Sequence, residues 1–429
     1  MTQLEFRKAL RKGRGLCVHA LKDAAALHRF KGIVLWACSK DLSVDAQSEG
    51  TRARFLADIV GCYPDKLPFV EMCERIIQRN WNCGDWVFQQ SCELLGLLAI
   101  EGNRDAYVGL LRSFGWLVRH EQNQNRASVT IQVKENAMSL LTELIPLCRL
   151  TADQVLIARG IRRLFSARSG FDVEFRQELL GIAKRCSASI VEESLENVRS
   201  IRDKYDDFAI GGVRESSNKH NLTRFHLLRM KSMGRLDEVK NYAMACVDES
   251  NWRIQVKLLG AFADSSLIEF LPRKFVERLL DSSNQRLVAV GLTLMTKMRS
   301  VAALKLGRKL LKENNAFEDA MEMVARNCKK QDEQLLLSGV MRAERFGRSR
   351  RHSIHHAVIC AMKDSRGVIY QRRVLELLAD SVECSCCREM CVRLLDGIGC
   401  LKQSLLEECC FDAGVSLREF ARKRLMEKE

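Results

Sequence analysis

The residues best suited to chemistry are thiols. Cys384 and Cys387 are separated by two residues in Cys384-Ser-Cys386-Cys387-Arg388, and Cys409 follows in Glu408-Cys409-Cys410-Phe411-Asp412. Thiolates at this spacing suit tetrahedral zinc coordination or reversible disulfide chemistry, provided that two further ligands converge. Cys409 with His355 or His356 would supply them only if the fold brought those segments together. A simpler role fits the same side chains: Cys384, Cys387, Cys391 and Leu394 share one helix face, where small apolar thiols let neighbouring helices approach closely. No βαβ pattern surrounds the pair, so spacing alone does not make a redox nucleophile. We assign no metal ligand, no cofactor-binding residue and no catalytic residue.

Two other groupings invite a functional reading. Trp81 and Asp85 flank a turn, and an aromatic residue near a carboxylate in a basic groove is the arrangement a helical-repeat DNA glycosylase would use. Asp85 serves equally well as a helix cap and Trp86 as an inter-helix packing residue. Arginines cluster at Arg159, Arg162 and Arg163, and again from Arg342 through Arg351, followed by His352, His355 and His356. These could grip phosphate, but a solvated basic face is the commoner outcome and stacking aromatics are sparse. There is no complete Ser/His/Asp set, dinucleotide-binding glycine fingerprint, phosphate loop or His-Glu-x-x-His helix. The balance favours a chain that is not an enzyme.

The elements that must position these residues read as helices throughout. Asp248, Asn251 and Arg253 recur 33 residues later as Asp281, Asn284 and Arg286. Each cluster can satisfy the free amides of a helix start, and the apolar residues after it (Val256, Leu259, Ala263; Leu287, Val290, Leu294) keep helical spacing. The pattern predicts helices over 222–233, 235–248, 251–264, 267–281, 283–299, 301–313, 316–328 and 331–344. Short connections make neighbours antiparallel. Nearer the start, helices are expected over 4–21, 24–40 and 47–61, and Val129-Thr-Ile-Gln-Val133 alternates like a short extended piece. Helix pairs of this length cannot bury their apolar stripes alone and must stack on one another. We therefore expect an all-α protein, an α-solenoid of stacked antiparallel helix pairs. Its expected divisions are 1–204, a loop or hinge at 205–221, and 222–429.

Bulk properties agree with this reading. The four prolines, Pro64, Pro68, Pro146 and Pro272, each sit near a predicted helix start. The formal charge is +15, which suits an acidic partner or nucleic acid. No run of ~18 apolar residues occurs, and the first residues lack the order of a secretory signal, so a cytoplasmic protein without a membrane anchor is expected. The eighteen cysteines then read as reduced, buried small hydrophobes.

Three segments carry a family resemblance: Asn327-Cys-Lys-Lys-Gln-Asp332-Glu333, the Cys384–Arg388 stretch and Glu408–Asp412. Together with Trp86 to Ala99 followed by Gly102-Asn103, they resemble poorly characterised bacterial HEAT-repeat proteins over most of the chain. Cys386 departs from their Cys-Ser-x-Cys-Arg pattern as an extra thiol. The resemblance implies an armadillo-type superhelix and names no reaction. By analogy of architecture it suggests an interaction scaffold whose basic or concave surface binds a protein partner, an acidic one by charge. The alternative is nucleic-acid binding, with glycosylase activity as its narrower form.

Overall fold

The computed structural model describes residues 1–44, 49–81, 86–123, 131–147, 157, 224–365 and 367–427. Among these residues every regular element is helical and no strand occurs. No single described helix is long and apolar enough to cross a membrane. The chain divides into two compact units. The first holds the described residues of Met1–Ile190 together with Ser381–Glu389 and Leu401–Glu429; the second holds those of Val191–Asp380 together with Met390–Cys400. The expected hinge at 205–221 lies outside the described residues.

In the first unit, α1 (Gln3–Arg11), α2 (Leu16–Ala20), α3 (Ala24–Cys38), α4 (Ala53–Gly61), α5 (Leu67–Arg79), α6 (Trp86–Ile100), α7 (Arg104–Asn123) and α8 (Ile131–Leu144) precede the long gap. Thr2 starts α1 with a capping box: its hydroxyl accepts from the Glu5 amide at 3.2 Å, and Glu5 accepts from the Thr2 amide at 2.7 Å. Phe6 then stacks on Phe30 of α3 with ring centroids 4.1 Å apart. Leu94, Leu98, Leu110, Phe114, Leu140 and Leu144 extend the same core through α6, α7 and α8. The described part of the alternating Val129–Val133 stretch is helical, because it opens α8, whose Leu140, Leu141 and Leu144 are buried.

The single helix expected over 4–21 is two helices, broken at Gly13, whose φ of +66° is a left-handed value that favours glycine. The break lets a C-terminal turn approach the backbone. The Ala413 amide donates to the Gly13 carbonyl at 2.7 Å, and the Gly15 amide donates to the Asp412 carboxylate at 2.6 Å. A side chain at Gly15 would collide with the Glu408 carbonyl.

Ion pairs extend this junction. Arg14 grips Glu408 with two bonds of 2.7 and 2.8 Å. Arg388, 1% exposed, holds both Glu408 and Asp412 at 2.7 Å. Burial works against the Arg388 charge, but the two carboxylates reverse the balance and hold it protonated. Arg52 bonds Glu49 at 3.0 Å and reaches the Glu383 carbonyl at 2.9 Å, while Glu49 accepts from the Ser385 amide and hydroxyl. Arg418, in the last helix (Val415–Met426), reaches Asp58 of α4. The two ends of the chain thus form one body, with Phe411 and Ala413 packed on the N-terminal core.

The second unit contains α9 (Arg224–Ser232), α10 (Leu236–Asp248), α11 (Trp252–Ala261), α12 (Arg273–Leu279), α13 (Gln285–Lys297), α14 (Val301–Glu313), α15 (Phe317–Asn327), α16 (Glu333–Ala343), α17 (Arg348–Lys363) and α18 (Arg372–Ser381). The odd-numbered helices α9 to α17 pack on one another in succession, and α10, α12, α14 and α16 each pack on the next odd helix. Asn251 and Asn284 cap α11 and α13 with matching backbones, each side chain accepting from the amide two residues on at 3.0 Å. The helix expected over 267–281 is shorter. A 3-10 turn at Ile268–Phe270 ends at extended Leu271 and Pro272, because proline disfavours helical backbone in the residue before it.

Candidate functional site

A cleft of about 1060 Å³ opens in the second unit where four successive turns within helix pairs lie side by side. These turns are the residues after α11, the links α13 to α14 and α15 to α16, and the segment after α17. Side chains on neighbouring turns bolt them together. Asn327, closing α15, accepts from the Ser300 amide at 2.8 Å and donates to the carbonyls of Met298 and Met323 at 3.0 Å. Ser300 caps α14 by accepting from the Ala303 amide at 3.0 Å. Asp332 accepts from the Lys329 amide at 2.9 Å and receives two bonds from Arg308, at 2.7 and 2.8 Å. Gly367 lies so close to the Cys328 carbonyl that a Cβ there would stand 2.6 Å from it.

The floor is a charge network centred on buried Arg326. Arg326 donates to the Thr296 carbonyl at 2.6 Å, to Asp364 at 2.6 Å and to Glu322 at 3.1 Å, and Glu322 also receives Lys297. Burial pushes the Asp364 carboxyl up, but hydrogen bonds from Arg326 and Ser265, with the charges of Arg326 and Arg299, hold it below its ordinary value. Glu269 pairs with Lys231 at 2.7 Å. Both acids of the lining are thereby engaged by cations. Of the five basic lining residues, Arg273, Arg299 and Lys329 are exposed and form no direct ion pair among the described residues. The cleft therefore offers its positive charge outward.

The lining thiol, Cys328, is pushed up to about 12 by burial first and by Asp332 and Glu333 next, so it stays protonated at neutral pH. No protein-family model matches the chain, and no curated protein matches it either.

The positions singled out from sequence fall elsewhere. Cys384, Cys387 and Cys409 are buried, and the Cys387 amide donates to the Cys384 sulfur at 3.5 Å. Burial raises the Cys409 thiol, and Cys409 stands in no ligand-sized group with Cys384 and Cys387 among the described residues. The distinctive C-terminal motif instead supplies Arg388, Glu408 and Asp412 to the junction of the chain ends. The described cysteines are all free, and most are buried.

Trp81 is buried, sits edge-on to Trp116 at 6.4 Å, and its carbonyl accepts from Asn136 at 2.7 Å; Asp85 lies outside the described residues. Arg159, Arg162 and Arg163 also lie outside them. In the Arg342–Arg351 run, Arg350 bonds Glu318 at 2.5 Å and lies over the Phe346 ring, Arg351 pairs with Glu344, and Arg342 lies over Phe317. Arg342, Arg350 and Arg351 thus make ring or ion-pair contacts within the second unit, while Arg345 is exposed. The exposed cations of the cleft carry no sequence motif: Arg273 is the first residue of α12, and Arg299 and Lys329 lie in the links α13 to α14 and α15 to α16.

Proposed function

We propose that this chain is an interaction scaffold, a HEAT-like α-solenoid without catalytic activity, that holds an acidic segment of a protein partner in the cleft between its turns. The observation that carries this reading is the set of exposed cations Arg273, Arg299 and Lys329, which form no direct ion pair among the described residues, above a floor whose acids are already engaged. The succession of packed helix pairs supports the solenoid, since such stacks present long rows of turns. A peptide is favoured over nucleic acid because no described residue lining the cleft is aromatic, and single strands gain much of their affinity by stacking bases on aromatic rings.

The test is fluorescence anisotropy with a labelled glutamate-rich peptide and, in parallel, a single-stranded oligonucleotide. Wild-type protein should bind the peptide, more weakly as salt rises, because the attraction is between exposed charges. The triple variant Arg273→Glu, Arg299→Glu, Lys329→Glu should lose at least about tenfold in affinity while keeping its melting temperature, since surface charges contribute little to stability. Undiminished binding by the triple variant, or preference for the oligonucleotide, would overturn the proposal.

A further inference from the structure

We infer that Cys384 and Cys387 are a peroxide-sensitive dithiol that closes reversibly into a disulfide, with Cys384 as the attacking sulfur and Cys387 as the sulfur that resolves it. Both belong to the first unit. Cys384 occupies the cap position of the helix Ser385–Gly397: its carbonyl accepts from the Arg388 amide at 3.0 Å, and its sulfur accepts from the Cys387 amide at 3.5 Å. The backbone on either side of it is pinned. Arg52 holds the Glu383 carbonyl at 2.9 Å, and Glu49 accepts from the Ser385 amide and hydroxyl, each at 3.1 Å. The Cys384 sulfur is thereby held over the first turn, within 4.8 Å of the Cys387 sulfur. A Cys-x-x-Cys pair at a helix start is the arrangement that dithiol oxidoreductases close.

Hydrogen bonding and exposure divide the roles among the three thiols of this turn. Cys386 is exposed, but its thiol hydrogen-bonds Cys384. That bond first, burial next, and then the charges of Cys384 and Glu49 hold Cys386 protonated, well above the ordinary thiol range. The Cys384 sulfur thus accepts from both the Cys387 amide and the Cys386 thiol, and donors aimed at a sulfur stabilise the thiolate that attacks an oxidant. Only 4% of Cys384 is exposed, an opening that suits hydrogen peroxide better than a bulky disulfide.

The chemistry balances with peroxide as the only oxidant. The Cys384 thiolate attacks one peroxide oxygen and breaks the O–O bond; the departing hydroxide takes the proton that Cys384 gave up and leaves as water, and the sulfur becomes a sulfenic acid. Cys387 then attacks the sulfenic sulfur, forms the S–S bond and expels the hydroxyl, which leaves with the Cys387 proton as a second water. Two thiols are oxidised and one peroxide is reduced. A dithiol reductant reverses the closure by thiol–disulfide exchange.

The experiment treats the full chain, reduced and freed of reductant, with equimolar hydrogen peroxide, then alkylates it and digests it with trypsin, which leaves all three thiols in one peptide, residues 374–388. Mass spectrometry should find that peptide two hydrogens lighter and carrying one alkyl group, on Cys386. It should form at least about tenfold faster than the buried Cys73 and Cys92 are oxidised, and dithiothreitol should restore all three alkylation sites. In Cys387→Ser, dimedone should capture a sulfenic acid at Cys384. Three alkyl groups on the peroxide-treated wild-type peptide, a disulfide that includes Cys386, or dimedone on Cys386 would each overturn the proposal. Near-stoichiometric zinc in the gently purified chain, with no disulfide formed until the metal is chelated, would overturn it too and reassign the pair as metal ligands. The wild-type readout holds even where the variant fails to fold.

Discussion

Glu143 shows how a single carboxyl can be tuned by packing alone. It projects from α8 over Gly96 of α6, where any side chain would displace it, and it faces the charge of Glu93. Glu93 is fixed by hydrogen bonds from Thr51 and from Gln89, the latter at 2.9 Å. Burial first, and Glu93 second, raise Glu143 to about 7 from an ordinary 4.5. The folded chain therefore binds this proton more tightly than the unfolded chain does. The resulting stabilisation is fully present below the ordinary value and is lost as pH rises through about 7. Glu143→Gln should leave the melting temperature nearly unchanged at pH 4 and raise it at pH 8. A variant that melts below the wild type at pH 8 would show that the ionised carboxylate has a partner the packing argument omits.

Ser300 governs α14 at the scale of an element. Its hydroxyl satisfies one of the free amides at the helix start, and its own amide is held by Asn327. Ser300→Ala should cost about 1 kcal/mol in chemical denaturation and speed amide exchange in the first turn of α14. An unchanged first turn would mean that Asn327 alone fixes the helix start. The same logic explains what the sequence disclosed. Asn251 and Asn284 were legible as caps because capping is local, decided within three residues. Pro272 shortened its helix for an equally local reason, one that apolar spacing alone did not reveal. Arg308 with Asp332 and Arg388 with Asp412 were not legible, although both pairs span 24 residues, because each pairing depends on where a later turn is laid against an earlier helix. The cations of the cleft are hidden for the same reason, since only stacking brings their turns into one row.

At the scale of the molecule, the all-helical class could be read from apolar spacing, but the joining of the chain ends could not. Arg14 and Glu408 are 394 residues apart, and no local pattern reports a contact of that range. Closing so long a loop costs only logarithmically more than closing a short one, so a compact set of strong contacts can hold it. Here the set is the Arg14–Glu408–Arg388–Asp412 network, the Gly15 amide on Asp412 and the packing of Phe411. Burial raises the Glu408 carboxyl, but the hydrogen bond from Arg14 and the charges of Arg388 and Arg14 outweigh it and leave Glu408 below its ordinary value. Its contribution is therefore present above about pH 4.5 and fails only as the solution becomes strongly acidic. Breaking a buried pair of this kind costs about 3–5 kcal/mol, because the remaining charge is left without its partner. Deleting 401–429 removes both carboxylates and should accelerate amide exchange in α1, α2 and α4 by roughly a hundredfold or more, with α5 and α6 changing far less. Glu408→Gln, which keeps the side-chain shape, should shift the same helices in the same direction by a smaller factor. If α1, α2 and α4 keep their protection in both variants, the N-terminal helices stand on their own core and the junction of the ends is incidental to their stability.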